Sequence, residues 1–444
     1  MKMLAHLLPL AAAGTLALVL AVPRLQAQAR PEASTTGGII QDFGWSEQSA
    51  YNSNPGGNNA KTLASPEQDL DGFIQFGGED QINGWSVRYQ PLLRYYLSSP
   101  QLNGLSHSLR ASFHWMPSPR WRLEGKGWGM YVRGVPGLAL TGVGNSGFHS
   151  GSNVLSPTVR EADGKAQMTL QYLISPRAIW EIFSGYHIRR YPHSNFVKTG
   201  TNDLSYFDYG LGFILQSTPR TQWSVLARND NMAFGTGSSS ARQPGILAPV
   251  SPTSHIAAQS VTLNWMHRFT HQASLRIFGG PEYSVLHETM PFTLLNLNFT
   301  LRIHRVRTYP SFGAVFWERK GIWTWQIAGR QQISNGGGLF PVPVVSDTGQ
   351  FRLDHPLMNG WHSQMGVNYT HLRTLSSGIL GAHVNAITAG MVLRHRISRH
   401  LMLNLEGNYL IQRAGGFLRV PPTVNQTFVG VRVSYDLRGW PNLE

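Results

Sequence analysis

The chain of 444 residues contains no cysteine. Beyond residues 4–22 it has no apolar run near the roughly 18–20 residues that a membrane helix needs. Charged residues make up 14 % of it, well under the share of about a quarter usual in soluble domains. Lysine is scarce: Lys2, Lys61, Lys126, Lys165, Lys198 and Lys320 are the whole complement, and arginine supplies the rest of the 37 basic residues. Each absence excludes something. Without cysteine there is neither a disulfide framework nor a lipid-bearing residue for a lipoprotein. Without a second apolar run, the chain crosses a membrane as strands or not at all. No nucleic-acid-binding motif accompanies the net charge of +14, so the basic balance does not point to nucleic acid.

What is present begins with "MKMLAHLLPLAAAGTLALVLAVPRLQAQA". A basic start at Lys2, an apolar stretch from about Leu4 to Val22 and the ending Ala27-Gln28-Ala29 are the marks of a secretory signal peptide over residues 1–29. Lys2 and Arg24 leave with it, which lowers +14 by two to +12. Aromatic residues are 11 % of the chain, with 47 glycines. Few charges among many aromatics and glycines suit a surface that faces lipid. Residues 30–84 are polar and rich in Gly, Asn and Ser ("YNSNPGGNNAKTLASPEQD") and read as a largely disordered periplasmic segment.

From residue 85 onward apolar and polar side chains alternate with period two, the signature of strands with one greasy and one wet face. In "WSVRYQPLLRYYL", Trp85, Val87, Tyr89, Leu93 and Tyr95 alternate with Ser86, Arg88, Gln90 and Arg94. The same holds in "SHSLRASFHW", "WRLEGKGWGMY", "YFDYGLGFILQ", "SVTLNWMHR", "LMLNLEGNYLI" and "TFVGVRVSYDL". Short turns recur at "MPSPRW", "ISPRAIW", "QSTPRTQW", "RFTHQAS", "WERKGIW" and "RISRHLM". Longer connections are expected over 133–165, 192–205, 231–257, 288–305, 332–358 and 412–426. A weak strand over 376–383 is needed to keep the direction of the chain in step. Trp115, Trp121, Trp180, Trp223, Trp323 and Trp361 near strand ends would form interfacial girdles.

This layout, covering about residues 85 to 437, resembles Gram-negative outer-membrane β-barrels of porin type. The expected fold is all-β: a transmembrane antiparallel up-and-down barrel of about 16 strands, within a range of about 14 to 18, with short periplasmic turns and long external loops. The barrel occupies 85–444, and the expected location is the cell outer membrane after export. Such barrels usually end on an aromatic residue; here Tyr435 and Trp440 stand near the terminus. The resemblance implies contact with outer-membrane lipid, lipopolysaccharide and the barrel-assembly machinery. Glycines on a weakly apolar face, Gly125, Gly127 and Gly129, fit close packing in a homotrimer.

Strand parity places a basic set on the lumen side: Arg88, Arg94, Arg110, Arg120, Arg122, Lys126, Arg189, Arg228, Arg268, Arg276, Arg307, Arg330, Arg394, Arg396 and Arg432. The acids on that side are fewer: Glu124, Glu181, Asp208, Asp230, Glu282, Glu406 and Asp436. About half of the arginines should find a carboxylate; the remainder would favour anions. Tyr96, Trp128, Phe183, Tyr191 and Phe278 share this face, as space-fillers or as a stacking track for sugars. The expected function is a passive channel for small, preferentially anionic solutes. The alternatives are an exopolysaccharide export or surface-assembly barrel handling acidic saccharides, or a closed structural or adhesive barrel. No enzymatic activity, cofactor or metal is expected. In "GFHSGSN" and "YPHSN" the adjacent pairs His149–Ser150 and His193–Ser194 point to opposite sides of an extended backbone. The histidines lack metal-ligand spacing. "GVGNSG" and "SNGGGLF" are followed by no helix to cradle phosphate.

Overall fold

A computed structural model describes residues 40–54, 64–79, 82–132, 160–192, 203–235, 248–249, 253–294, 297–334, 343–375, 381–416 and 423–436. The segment 1–29 and the pairs His149–Ser150 and His193–Ser194 lie outside the described residues. The strands in chain order are β1 (Ile40–Asn52), β2 (Ser65–Glu79), β3 (Asn83–Tyr96), β4 (Gly104–Ser118), β5 (Trp121–Val132), β6 (Glu161–Ser175), β7 (Ala178–Arg190), β8 (Leu204–Thr218), β9 (Thr221–Phe234), β10 (Ala248–Pro249), β11 (Thr253–Thr270), β12 (Ala273–Leu294), β13 (Leu297–Lys320), β14 (Trp323–Ser334), β15 (Val344–Pro356), β16 (Trp361–Thr374), β17 (Ala382–Arg396), β18 (Leu401–Gly416) and β19 (Thr423–Asp436).

All belong to one antiparallel sheet. β10 is a two-residue piece beside β12, and the other eighteen strands pair in sequence order. The sheet closes on itself where β1 meets β19, from Gly44↔Asp436 to Asn52↔Phe428. In hydrocarbon an unpaired backbone N–H or C=O has no water to turn to, so a spanning sheet must have no edge. The spanning strands have at least 12 residues, more than the roughly 9–11 that a tilted strand needs to cross.

The turns 119–120, 176–177, 219–220, 271–272 and 321–322 lie at one end, together with Ile40 and Asp436. In outer-membrane barrels the tight turns are periplasmic, and this end is called so below. Outward-facing Trp115, Trp121, Trp180, Trp223 and Trp323 ring it, between 40 and 49 % exposed. Trp323 stacks on His355 at 3.6 Å and Trp361 on His395 at 4.6 Å. Above them an apolar belt (Val225, Leu211, Ile182, Val431, Ile387) is exposed on the outer face. A side chain that faces lipid gains nothing from being covered by protein.

The strand count exceeds the central expectation of 16 because two stretches within the segment 30–84 are strands. Residues 40–52 and 65–79 are β1 and β2, which lock to each other, to β19 and to β3. Two smaller expectations exchange places. Residues 344–356, expected within a loop over 332–358, form β15, paired on both sides. Conversely, β16 pairs directly with β17, and Ala382 and His383, expected at the end of a separate strand over 376–383, open β17; 376–380 lie outside the described residues. The expected loop over 288–305 is instead the outer part of a long hairpin, paired from Ala273↔Glu318 to Leu294↔Leu297.

That hairpin contains the one place where the wall loosens. Pro281 of β12 sits opposite Pro310 of β13. Proline has no N–H to donate, and ladders fail on both sides of this pair. β11 and β12 have no pairing between Ser260↔Glu282 and Leu263↔Gly279. β13–β14 pairing stops at Phe312↔Gln331. Beyond that point the end of β14 turns inward. Ile333 donates its N–H to the Glu282 carboxylate on the inner face of β12, at 3.2 Å. Ile333, Ser334 and Val344–Ser346 are all buried, which is what a hairpin end covered on both faces requires.

The backbones of β11 and β12 come so close at this break that a Cβ on Gly280 would collide with the Val261 carbonyl. Gly280→Ala should destabilise the barrel by about 1–3 kcal/mol through overpacking. Gly407→Ala, where a Cβ meets nothing within 4 Å, should leave it unchanged. The temperature at which the folded, heat-modifiable species is lost on electrophoresis measures both.

Candidate functional site

The inner wall carries the chemistry, and it divides along the barrel axis. Near the external ends, carboxylates and arginines are buried together. On β2 and β3, Arg94 lies between Glu67 and Asp69: its Nε is 3.0 Å from Glu67 Oε1, and its Nη2 is 2.8 Å from Asp69 Oδ2. On β6 and β7, Arg189 lies between Glu161 and Asp163 at 3.1 and 2.6 Å. The register is the same in both hairpins, Asp69↔Arg94 and Asp163↔Arg189. In both, a tyrosine two residues beyond the arginine is buried, Tyr96 at 1 % and Tyr191 at 5 % exposure. A Glu-x-Asp strand facing an Arg-x-Tyr strand is thus a structural repeat. Asp163 also meets His187 Nε2 at 2.6 Å.

A related group lies on β8 and β9. Arg228 stands 2.7 Å from Asp230 and 3.3 Å from Asp208, and the Tyr206 hydroxyl donates to Asp230 at 2.6 Å. At the periplasmic end of β15–β17, by contrast, the carboxylate of Asp354 accepts from Arg352 at 2.8 Å and from Gln364 at 2.7 Å. Arg394 in turn donates to the Gln364 amide oxygen at 3.1 Å. The closing seam is tied in the same way. Gln426 donates to Asn52 at 2.8 Å, Asn52 to Glu67 at 3.2 Å, and the Arg432 Nε to Gln48 at 3.1 Å.

Toward the periplasmic end the wall changes character. Arg110 and Arg276 are exposed on the inner face. Among the described residues no carboxylate comes within ion-pair distance of Arg88, Arg110, Arg276, Arg330 or Arg394. Arg88 and Arg110 are direct cross-strand neighbours. The Arg88 guanidinium lies 3.7 Å from the centre of the Phe73 ring, a cation–π contact. Phe278 is flanked by Arg276 and Arg330 at 5.5 and 5.8 Å. The Nε atoms of Arg88 and Arg330 are buried without a hydrogen-bond acceptor among the described residues. A buried donor left unpaired costs free energy until an acceptor arrives.

Level with these buried ion pairs or external to them, across the outer part of the lumen, runs an apolar layer. Leu204, Met232, Phe234, Ile256 and Leu286 on the inner faces of β8–β12 pack with Ile333, Val345 and Leu375 of the inward-turned β14–β16 ends. Tyr206 and Tyr309 border this cluster.

Strand parity therefore puts the expected lumen residues on the inner face, with Arg120 the exception. It lies in the turn 119–120, at the periplasmic lip. Arg94, Arg189, Arg228 and Arg432 are tied into buried networks. Arg122 pairs with Glu124 at 2.6 Å in the open, periplasmic part. Glu181 accepts from Gln171 at 2.8 Å, Glu282 holds Ile333, and Glu406 lies 3.8 Å from Arg432. Arg307 donates to the Tyr309 hydroxyl at 3.0 Å. Arg268 is exposed beside the turn 271–272. Arg396, at the end of β17, donates to the Ser398 carbonyl at 3.4 Å. The aromatic set is not a continuous track: Tyr96, Tyr191 and Phe183 are buried, and Trp128 leans on His187 at 6.2 Å. Glu67, Asp69, Glu161, Asp163 and Arg352 were not anticipated. The recurring E-x-D and R-x-Y pairs were the signal that would have found four of them.

A closed eighteen-strand antiparallel barrel with an apolar outer belt, an aromatic girdle and a charged inner wall is an outer-membrane β-barrel protein. No family model and no curated protein matches the sequence. Among solved structures the chain is similar to Acinetobacter baumannii OccAB2, with 8 % identity, TM-score 0.45, and coverage of 90 % of this chain and 100 % of that one. It is similar to the outer membrane protein OpdK of Pseudomonas aeruginosa, with 10 % identity, TM-score 0.41, and coverage of 89 % and 98 %. It is also similar to the siderophore receptor PiuA of Acinetobacter baumannii, with 10 % identity, TM-score 0.46, and coverage of 89 % and 82 %.

Removing a buried arginine strands its two carboxylates. Arg189→Met should cost about 3–5 kcal/mol of stability. Arg122→Met, whose side chain is 52 % exposed, should cost less than about 1 kcal/mol. Unfolding by urea in detergent, followed by tryptophan fluorescence, compares the two.

Proposed function

We propose that the chain is an outer-membrane channel for passive diffusion of small, preferentially anionic solutes. The observation that carries this reading is the set of inner-wall arginines, Arg88, Arg110, Arg276, Arg330 and Arg394, without a carboxylate partner in the part of the lumen nearest the periplasm. Fixed positive charge on a wet wall set in a low-dielectric shell draws anions in and holds cations out. Arginine suits the task because its planar fork binds carboxylate or phosphate oxygens in pairs while remaining charged at any physiological pH. Phe278 between two guanidiniums offers a flat apolar face beside the charge, which favours anions that carry a hydrophobic part.

The constriction lies outside this zone. The inward end of the β14–β15 hairpin and the apolar layer against β8–β12 narrow the external half, so passage requires that hairpin end to yield. Glu282, which holds the Ile333 amide, is the latch. Nothing in this mechanism needs a catalytic residue or a cofactor; the solute crosses unchanged. An export barrel that docks periplasmic partners through a loose N-terminal segment is less favoured, because residues 40–52 and 65–79 are part of the wall.

In planar bilayers across a potassium chloride gradient, the wild-type protein should show a reversal potential of the sign for chloride preference. Arg88→Glu with Arg110→Glu should move the chloride-to-potassium permeability ratio toward or below one. The effect should shrink at high salt, because the Debye length falls to about 3 Å at 1 M. A folded protein without conductance, or one with a ratio insensitive to these charges, refutes the proposal.

A further inference from the structure

On the outer face of β11, β12 and β13 three histidines stand side by side. His255 is directly opposite His287, and His287 is directly opposite His304. All three are exposed. Their neighbours in sequence point the other way: Ser254, Ile256, Leu286 and Glu288 are buried. The His287 and His304 rings lie 4.6 Å apart, centre to centre, at 46°. Among the described residues the adjoining positions offer these rings no carboxylate. Ala257, Val285 and Val306 form the row below, and Thr253, Thr289 and Arg302 the row above. Ala233 of β9 flanks His255. The row is therefore not one half of a set of ion pairs.

The row stands beyond the hydrocarbon. His287 is about fourteen residues from Ala273, where β12 leaves its periplasmic turn. At about 3.3 Å per residue and a tilt of about 45°, that is a rise of about 33 Å. The hydrocarbon core is about 30 Å thick, so water and dissolved ions reach the three rings. This is also where the wall is least tied. Among the described residues β13 pairs with β14 no further out than Phe312↔Gln331, and residues 297–311 of β13 have a ladder to β12 alone.

Histidine is the commonest metal ligand, and imidazole suits copper(II), nickel(II) and zinc. The Cβ atoms of directly opposite residues are about 4.5–5.5 Å apart. Metal–nitrogen bonds of about 2.0–2.1 Å put two ligands of a tetrahedral ion about 3.3 Å apart. Rotation about side-chain bonds brings the His287 and His304 rings to that spacing without moving the backbone. Among the described residues no three such side chains already converge on one point, so His255 joins by turning its ring. We propose that His287 and His304 bind a divalent transition-metal ion, copper(II) or zinc, with His255 as the third ligand. The ion clips β11, β12 and β13 together on the external side, where β13 has one ladder instead of two. Arg302 is exposed, and its long stem carries its charge out into water and away from the ion. The site does not depend on the channel reading, because none of its ligands faces the lumen.

Isothermal titration calorimetry of the full chain in detergent, without an affinity tag and freed of metal by a chelator, tests this with copper(II) chloride and zinc chloride. The titration is run at about pH 7.5, above the ordinary imidazole pKa of about 6.5. His287→Ala and His304→Ala should each weaken the tightest binding about tenfold or more. His383→Ala, which removes an exposed histidine elsewhere on the outer face, should bind as the wild type does. Magnesium, a hard ion that prefers oxygen ligands, should not compete, which separates the site from cations held by co-purified lipid phosphates. Acidification to about pH 5 should release the ion, because protonated imidazoles cannot ligate. Zinc should also raise the temperature at which the heat-modifiable species is lost, in the wild type and not in His287→Ala. Equal binding by His287→Ala, an equal loss in His383→Ala, or displacement by magnesium overturns the proposal. If the variants fail to fold, electron paramagnetic resonance of the copper-loaded wild type decides: coupling to imidazole nitrogens supports the site, and oxygen ligands alone refute it.

Discussion

A backbone amide in hydrocarbon has only the chain itself to bond with, and the rest of this molecule follows from that requirement. It forces the sheet to close, and closure means that the first strand must find the last. β1 reaches β19 over nine register positions, and side chains bridge the same seam on the inside. Gln426, Asn52 and Glu67 hand hydrogen bonds from β19 to β1 to β2. Arg432 ties β19 to Gln48 of β1 at the middle of the seam. The seam joins segments from opposite ends of the sequence, so it gains least from local chain connection. A polar network there, shielded from lipid by the wall, adds the specificity that a uniform ladder lacks.

Arginine does two different jobs on the inner wall, and surroundings decide which. Arg94 and Arg189 are nearly sealed from water, with side chains 15 and 14 % exposed. A charge so placed is tolerable only with counter-charges and satisfied hydrogen bonds, and each has two carboxylates. Arg110 and Arg276 are exposed on the inner wall, where a charge needs no carboxylate partner. The first kind is held within the wall; the second is exposed on its inner surface.

Much of the architecture was legible in the chain. Period-two alternation placed the wall from residue 85 onward, sorted the faces and located the tight turns. The segments it missed share a reason. β1 and β2 do alternate, with Phe43, Trp45, Tyr51 and Leu70 against Ser46, Gln48, Glu67 and Asp69. But Gly44, Gly72, Gly77 and Gly78 dilute the pattern, and small residues read as coil when cross-strand neighbours are unknown. β15 offers Asp347 and Gly349 on the lipid side of the register, so its apolar face is too sparse to stand out. Ion-pair partners were beyond reach for a different reason. Which carboxylate faces Arg94 depends on the stagger between strands, and stagger is a property of the closed sheet.

The Pro281↔Pro310 pair shows how one local rule shapes the inner wall. A barrel cannot carry a broken ladder at mid-membrane without another partner for the freed groups. Here the break lets the β14–β15 end leave the wall and fold inside, where Ile333 recovers a hydrogen bond from Glu282 and its side chain joins the apolar layer. The inward-turned end is therefore made from the wall itself, at the point where the wall's own ladder stops. It is also where the shortest ladder between sequential spanning strands ends, at Phe312↔Gln331. The inward turn of the wall is thus tied to the same two prolines.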